Sequence, residues 1–264
     1  MLLIQQNTGL SADNTKFNSL ITINKSGDNT PIFFFHGVGG NVLNYHKISK
    51  KFDKDQPVYA LQARGVDGLT DYANSIEEMA RFYVDEMLMV NKTNRFILAG
   101  GSMGGLLAYE AARILKSLDK KVEMLVLFDT GGPNKLRTTK KTKKSFSNLL
   151  INALYSLKDL TVKFRVSVHK YLKIPLPFDI RFFLVEKHNF VCIKKYIHNS
   201  YDGDLTLFKA PIKSSGLYSD PYLGWKDVVS GNIKTIIVDA DHSYFVENTQ
   251  VQDLFINELS KKRT

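Results

Sequence analysis

Short apolar runs alternate with helix-type patterns along most of this chain, and this alternation restricts the fold more than any other feature. The runs have the length of buried strands and are apolar on both faces, which is typical of the central strands of a parallel sheet. They are PIFFF (31–35), PVYAL (57–61), RFILAG (95–100), EMLVLFD (123–129), LTLFKA (205–210) and KTIIVDAD (234–241). FNSLITI (17–23) predicts an early edge strand.

Helical patterns lie between these runs. The first begins at Ser75, and the pair of Ser75 and Glu78 has the spacing of a capping box. Further helices are predicted over 103–118 and 250–262. Strands that alternate with helices predict an α/β fold with a doubly wound, mostly parallel sheet.

The alternation breaks between residues 134 and 200. This region is basic, helical in places, and interrupted by IPLPFD (174–179). An insertion of this length between two strands is typical of a lid or small subdomain over a site. Because 44% of the residues are hydrophobic, the chain can form one sizeable core. We therefore predict a single domain, 1–264, with a helical lid insertion at 134–200.

The formal net charge of +10 indicates an acidic partner, which could be a nucleic acid, an anionic membrane surface or an acidic protein. Ten Lys and Arg residues fall between 134 and 170, and Asp159 alone opposes them. The run predicts either a solvated surface segment or a docking patch. Its densest part comprises Lys135, Arg137, Lys140, Lys141, Lys143 and Lys144.

The cysteine count and the hydropathy bear on the compartment. The chain has one cysteine, Cys192, so it forms no internal disulfide, which fits a reducing environment. It has neither a signal-peptide pattern nor a run of about 18 apolar residues that could span a membrane. We expect a cytoplasmic protein.

The stretch FILAGGSMGG (96–105) contains Ser102 within a G-x-S-x-G pattern. The pattern follows a predicted strand and precedes a predicted helix, which is the context of a nucleophile elbow. Glycines there tolerate unusual dihedral angles and let strand and helix approach closely. The serine is then exposed at a helix N-terminus, where developing negative charge is stabilised. This predicts Ser102 as a catalytic nucleophile of an α/β-hydrolase.

A serine nucleophile needs a base and an orienting acid, which hydrolases of this fold supply in the order Ser, Asp or Glu, His. His242 follows the last predicted strand and is the candidate base. Asp129 and Asp220 each follow a strand, and the residues by themselves leave the choice of acid open. His36 precedes a glycine-rich loop, and we expect a structural role for it.

The loop HGVGG (36–40) predicts an oxyanion hole, since a glycine-rich loop after the first core strand can direct a backbone N–H at the serine. Val38 is the candidate donor, with Gly37 as the alternative, and Met103 N–H supplies the second. A phosphate-binding loop would need G-x-G-x-x-G or a lysine after the glycines, and neither is present.

Six motifs in order resemble the type I thioesterase domains at the C-termini of non-ribosomal peptide and polyketide synthases. They are the opening segment through HGVGG, PVYALQARGVDG, SIEEMARFYVDEM, GGSMGGLLAYEAARIL, LVLFDT and the closing segment from LTLFKA to DADHSYFV. The resemblance covers nearly the whole chain outside the lid. Gly37 stands where the family commonly has Pro, and the lid is unusually basic.

The resemblance implies that Asp129 is the triad acid and that Asp220 is not catalytic. It also implies release of an acyl, peptidyl or polyketide chain from a phosphopantetheinyl carrier protein, by hydrolysis or cyclisation, without a metal or a cofactor of its own. Carrier proteins are typically acidic, so a carrier protein is the expected partner of the basic run. We expect no nucleic-acid partner. The alternatives are a lipase or carboxylesterase, an acyl hydrolase at an anionic membrane surface, and, least favoured, a non-catalytic binding module.

Overall fold

A seven-stranded sheet forms the centre of the computed structural model, which describes residues 18–133, 146–211 and 219–263. The strand order is β1-β3-β2-β4-β5-β6-β7. Of these strands, β1 alone runs antiparallel to its neighbour. The strands are β1 (Leu20–Asn24), β2 (Ile32–Phe35), β3 (Val58–Leu61), β4 (Arg95–Gly101), β5 (Lys121–Phe128), β6 (Leu205–Lys209) and β7 (Ile233–Ile237). The doubly wound, mostly parallel sheet is therefore confirmed.

Helices cover both faces of the sheet. One core layer contains α2 and α3, and the other contains α1 and α6. Every residue of β2, β3 and β6 is buried, as expected for strands covered on both faces. The helices are α1 (Tyr45–Ser49), α2 (Ile76–Val90), α3 (Met103–Ser117), α4 (Phe146–Leu172), α5 (Phe178–Lys195) and α6 (Thr249–Arg263).

Two local expectations need correction. β7 is shorter than KTIIVDAD and lies at the sheet edge, where Ile237 is 55% exposed. The chain leaves the sheet there and so can bring residue 242 to the sheet's carboxyl end. At α2, Ser75 Oγ accepts a hydrogen bond from Glu78 N (3.1 Å), as the capping box requires. The Glu78 carboxylate, however, accepts from Asn74 N (2.8 Å), one residue earlier than in a standard box.

The helices α4 and α5 form an insertion between β5 and β6. Between them lie Pro175 and Pro177, which cannot continue a helical hydrogen-bond ladder. α4 packs on α5 through Val162, Ile180 and Phe183. The basic segment from Lys135 to Lys144 lies outside the described residues.

None of the helices in the described ranges is long and apolar enough to cross a membrane.

Candidate active site

The turn between β4 and α3 holds Ser102 in an unusual backbone conformation. Its φ is +53° and its ψ is −118°, a region that residues with a side chain rarely occupy. Its N–H donates to Phe128 O (3.1 Å), which ties the turn to the end of β5. The prediction that the glycines adopt the unusual dihedral angles is wrong, because the strained residue is the serine itself. Such strain is typical of a functional site.

The glycines of the pattern are required by contact instead. A Cβ atom at Gly100 would lie 2.1 Å from Gly104 O, and one at Gly104 would lie 2.3 Å from Phe35 O. Both distances are far below van der Waals contact. Strand, helix and the neighbouring strand β2 can therefore approach this closely only where the side chain is absent.

Ser102, His242 and Asp129 form a continuous chain of hydrogen-bonded side chains. His242 Nε2 lies 3.2 Å from Ser102 Oγ, and His242 Nδ1 lies 2.7 Å from Asp129 Oδ2. An ionised carboxylate only accepts, so Nδ1 carries the ring proton and Nε2 is left to accept from the serine hydroxyl. The structure thus brings together three side chains that are 27 and 113 positions apart along the chain (129 − 102 and 242 − 129).

The surroundings of the three side chains differ. The Asp129 side chain is 1% exposed and that of His242 is 48% exposed. The hydrogen bond to Asp129 raises the pKa of His242, and partial burial opposes this effect. Asp129 is itself held by β6 and the residue that follows it. Its own N–H donates to Phe208 O (2.7 Å), and Ala210 N donates to its Oδ1 (3.2 Å).

Asp220, the other candidate acid, lies in a different role. Its carboxylate accepts hydrogen bonds from Tyr222 N (2.8 Å) and Gly224 N (2.6 Å). These bonds shape the turn that leads into Trp225, whose Nε1 donates to Thr130 O (2.7 Å). Asp220 therefore supports the segment beside Asp129, whereas the partner of the His242 ring is Asp129.

Lys209 is a buried cation that is not among the predicted site residues. It is fully buried at the end of β6, and its Nζ donates to Asp220 O (2.9 Å). Burial lowers the pKa of Lys209, and the charges of Asp220 and Asp129 partly restore it. A lysine inside the apolar run LTLFKA was the available signal.

The loop after β2 is fixed by hydrogen bonds to its carbonyl groups. Gly37 O accepts from Gly40 N (2.9 Å) and lies 2.7 Å from His36 Nδ1, and Val38 O accepts from Asn189 Nδ2 on α5 (2.8 Å). Since Gly37 C=O and Val38 N–H share one trans peptide plane and point in opposite directions, fixing the carbonyl also fixes the direction of the amide.

The hydrogen bonding of the two candidate oxyanion donors follows from their places in the chain. Met103 is the first residue of α3, so its N–H has no acceptor within the helix. Within the described part of the chain, neither this N–H nor that of Val38 donates to a protein group.

The His36 ring has a structural role, as expected. It is fully buried, and burial lowers its pKa to about 4, so the ring is neutral at pH 7. With Nδ1–H donating to Gly37 O, Nε2 accepts from the Tyr83 hydroxyl (2.8 Å).

Comparison with known proteins identifies the family. The sequence model of one protein family, the thioesterase domain, matches residues 30–262 of this chain. The chain is 29% identical over 244 residues to malpinin synthetase of Mortierella alpina, which covers 90% of this chain and 3% of that protein. It is 34% identical over 129 residues to the polyketide synthase PksR of Bacillus subtilis, which covers 48% of this chain and 5% of that protein. This chain thus spans only a small part of the relatives that it matches.

Solved structures show the same fold. The holo form of AB3403, a four-domain nonribosomal peptide synthetase, superposes on 93% of this chain and 20% of its own, with a TM-score of 0.73 and 21% identity. The NocB thioesterase domain superposes on 92% of this chain and 99% of its own, with a TM-score of 0.67 and 16% identity. The family match over most of the chain, together with an α/β-hydrolase fold, confirms the family expected from the motifs: this chain belongs to the thioesterase domain family.

Proposed function

We propose that this domain releases an acyl, peptidyl or polyketide chain from a phosphopantetheinyl carrier protein through an acyl-serine intermediate. The observation that carries the proposal is the hydrogen-bonded series Ser102, His242 and Asp129 at a strained turn in a domain of the thioesterase family. The multidomain synthases among its relatives support a carrier domain as the partner.

The first half of the reaction forms the acyl-enzyme. Ser102 Oγ attacks the thioester carbonyl carbon while His242 Nε2 takes the hydroxyl proton, and Asp129 stabilises the imidazolium that results. The N–H groups of Met103 and Val38 donate to the oxyanion, and each such donor contributes about 3 kcal/mol in related chemistry. The C–S bond then breaks, and His242 returns the proton to the pantetheine sulfur as it leaves.

The second half releases the product. Water, or a hydroxyl or amine of the acyl chain, gives a proton to His242 and attacks the acyl-serine carbonyl. Collapse of the second tetrahedral intermediate breaks the ester bond, and the proton passes from His242 to Ser102. The proposed cycle uses this chain's own side chains and amides, and neither a metal nor a cofactor takes part.

We further propose that residues 134–200 act as a lid within a single domain spanning 1–264. Three contacts support this. Asn189 on α5 binds Val38 O, Arg181 Nη1 on α5 donates to Val66 O (2.9 Å), and a Cβ at Gly39 would lie 2.5 Å from the Phe182 ring. α5 therefore rests directly on the loop that presents the proposed oxyanion donor, and its movement would alter access to the site.

The basic segment supplies a proposed docking charge for the carrier protein. Six Lys and Arg residues within 135–144 would attract an acidic partner over a long range. Anionic membranes are the competing acidic surface. We expect the domain to act in the cytoplasm.

A fluorophosphonate probe tests the central proposal. We expect one adduct, located by peptide mass at Ser102, and none in Ser102→Ala. The labelled enzyme should lose the ability to hydrolyse an acyl pantetheine thioester. An adduct on another residue, or full activity in Ser102→Ala, would contradict the proposal. Faster turnover of the matched oxygen ester than of the thioester would favour the lipase or carboxylesterase alternative.

A further inference from the structure

The Tyr45 hydroxyl lies between the ends of the two strands that lead to the proposed oxyanion donors. It donates to Phe35 O (2.6 Å) at the end of β2 and accepts from Gly101 N (3.2 Å) at the end of β4. Tyr45 is fully buried, and its ring stacks on Phe34 at a centroid distance of 4.5 Å. One side-chain oxygen therefore connects two backbone segments that are 66 residues apart (101 − 35).

The hydroxyl occupies the point where the two strands separate. β2 and β4 are paired in parallel register from Ile32 and Ile97 to Phe35 and Gly100. Beyond that register, β2 leads into the loop that contains Val38, and β4 leads into the turn that contains Ser102 and Met103. Gly101 N–H, the next donor on β4, reaches the tyrosine hydroxyl in place of a β2 carbonyl.

Both proposed donors follow this point within a few residues. Val38 is three residues beyond Phe35, and Met103 is two residues beyond Gly101. The end of β2 and the first turn of α3 also touch directly, because Phe35 O lies so close to Gly104 that a Cβ there would be 2.3 Å away. The contact limits approach from one side, and the two bonds of the hydroxyl limit separation.

We propose that Tyr45 is a positioning residue that sets the distance between the Val38 and Met103 amides and so pre-organises the oxyanion hole. This inference rests on the proposed function. The hydroxyl stays protonated, because burial raises the pKa of Tyr45 above its usual range. It touches no reacting atom, and it acts through the ends of β2 and β4.

Tyr45→Phe removes this oxygen and retains the ring. Tyr109→Phe is a matched control, since Tyr109 is also fully buried and its hydroxyl donates to a backbone carbonyl, Asn199 O (2.6 Å). The hydrogen bonds of its hydroxyl go to Asn199 O and Val228 O, outside the proposed oxyanion hole. Both variants should lower the thermal midpoint by similar amounts.

The readout is kcat and KM for an acyl pantetheine thioester, measured well below the thermal midpoint of each variant. We expect Tyr45→Phe to lower kcat by about 10- to 100-fold with KM within about twofold, because misplaced donors lose interactions made mainly in the transition state. A boronic acid that forms a tetrahedral adduct should bind more weakly by a similar factor. Tyr109→Phe should stay within about twofold of wild type in all three quantities.

Equal kcat losses in the two variants would overturn the inference, and so would a Tyr45→Phe defect confined to KM. If Tyr45→Phe does not fold, 3-fluorotyrosine at position 45 serves the same purpose, because it retains the hydroxyl but accepts more weakly from Gly101 N–H. A lower kcat with the analogue at position 45 and not at position 109 supports the inference, and wild-type kcat at both positions overturns it. Failure of the proposed function has a different signature, namely a wild-type protein with neither thioester turnover nor a labelled serine.

Discussion

Asp→Asn substitutions at positions 129 and 220 show which of the two aspartates orients His242. Each substitution replaces one carboxylate oxygen with an amide NH₂ group. In Asp129→Asn, Ala210 N–H donates to the position of Oδ1 and therefore favours the amide oxygen there. The amide NH₂ then occupies the position of Oδ2 and faces His242 Nδ1, which lies 2.7 Å away. The ring must present a lone pair at Nδ1 and carry its proton on Nε2, so it cannot accept the Ser102 proton.

The wrong tautomer should cost about 10⁴-fold in kcat, as it does in a serine protease with the equivalent exchange. This factor corresponds to about 5.5 kcal/mol of activation free energy. The free energy of unfolding should change by less than this activation free energy, because the fold retains its buried sheet. The pKa of His242 should also fall, because the hydrogen bond and the charge of Asp129 both raise it.

Asp220→Asn should show the opposite pattern. Its carboxylate accepts from two backbone N–H groups, and an amide can satisfy only one of them. We expect the free energy of unfolding to fall by about 1–3 kcal/mol, with kcat within about tenfold of wild type.

The assay combines urea unfolding with turnover of an acyl thioester of N-acetylcysteamine between pH 5 and 9. In wild type, activity should fall below the pKa of His242, with a midpoint above the usual value of about 6.5, since only the neutral ring accepts a proton. A larger kcat loss in Asp220→Asn than in Asp129→Asn would refute this reasoning and place the acid after β6.

Three further results are expected. Gly104→Ala should lower the free energy of unfolding in urea by about 1–3 kcal/mol, because its Cβ would lie 2.3 Å from Phe35 O. The control Gly37→Ala places its Cβ where no atom lies within 4 Å and should change that free energy by less than about 1 kcal/mol, so equal losses would contradict the contact argument. The native pKa of His36 is about 4, so below about pH 6.5 the unfolded chain binds a proton that the folded chain does not, and the free energy of unfolding should drop by up to about 3 kcal/mol by pH 4. A His36→Gln variant whose free energy of unfolding has the same pH dependence would show that His36 is not the responsible group. Replacing four lysines of the basic segment with serine should slow turnover of an acyl carrier protein and flatten its salt dependence while sparing a small thioester, and equal effects on both substrates would contradict docking; the four are Lys140, Lys141, Lys143 and Lys144.

Local patterns in the sequence determined the elements of this fold and the position of the elbow. Apolar runs such as PIFFF predict buried strands because the side chains of a central strand are covered on both faces. The strand, G-x-S-x-G and helix around Ser102 are contiguous, so their arrangement follows from neighbouring residues alone. Only the structure shows how the turn is formed: the serine carries the strained φ, and the glycines permit close contact.

Tertiary structure decided which distant side chains meet. Asp129 and Asp220 both follow strands, and only the positions of β5, β6 and the turn at 220–225 show that one faces His242 while the other binds backbone N–H groups. The Tyr45 hydroxyl likewise joins two strand ends that no local pattern connects. Such contacts depend on strand order and on the packing of elements far apart in the chain, and the preferences of neighbouring residues for helix, strand or turn do not specify them.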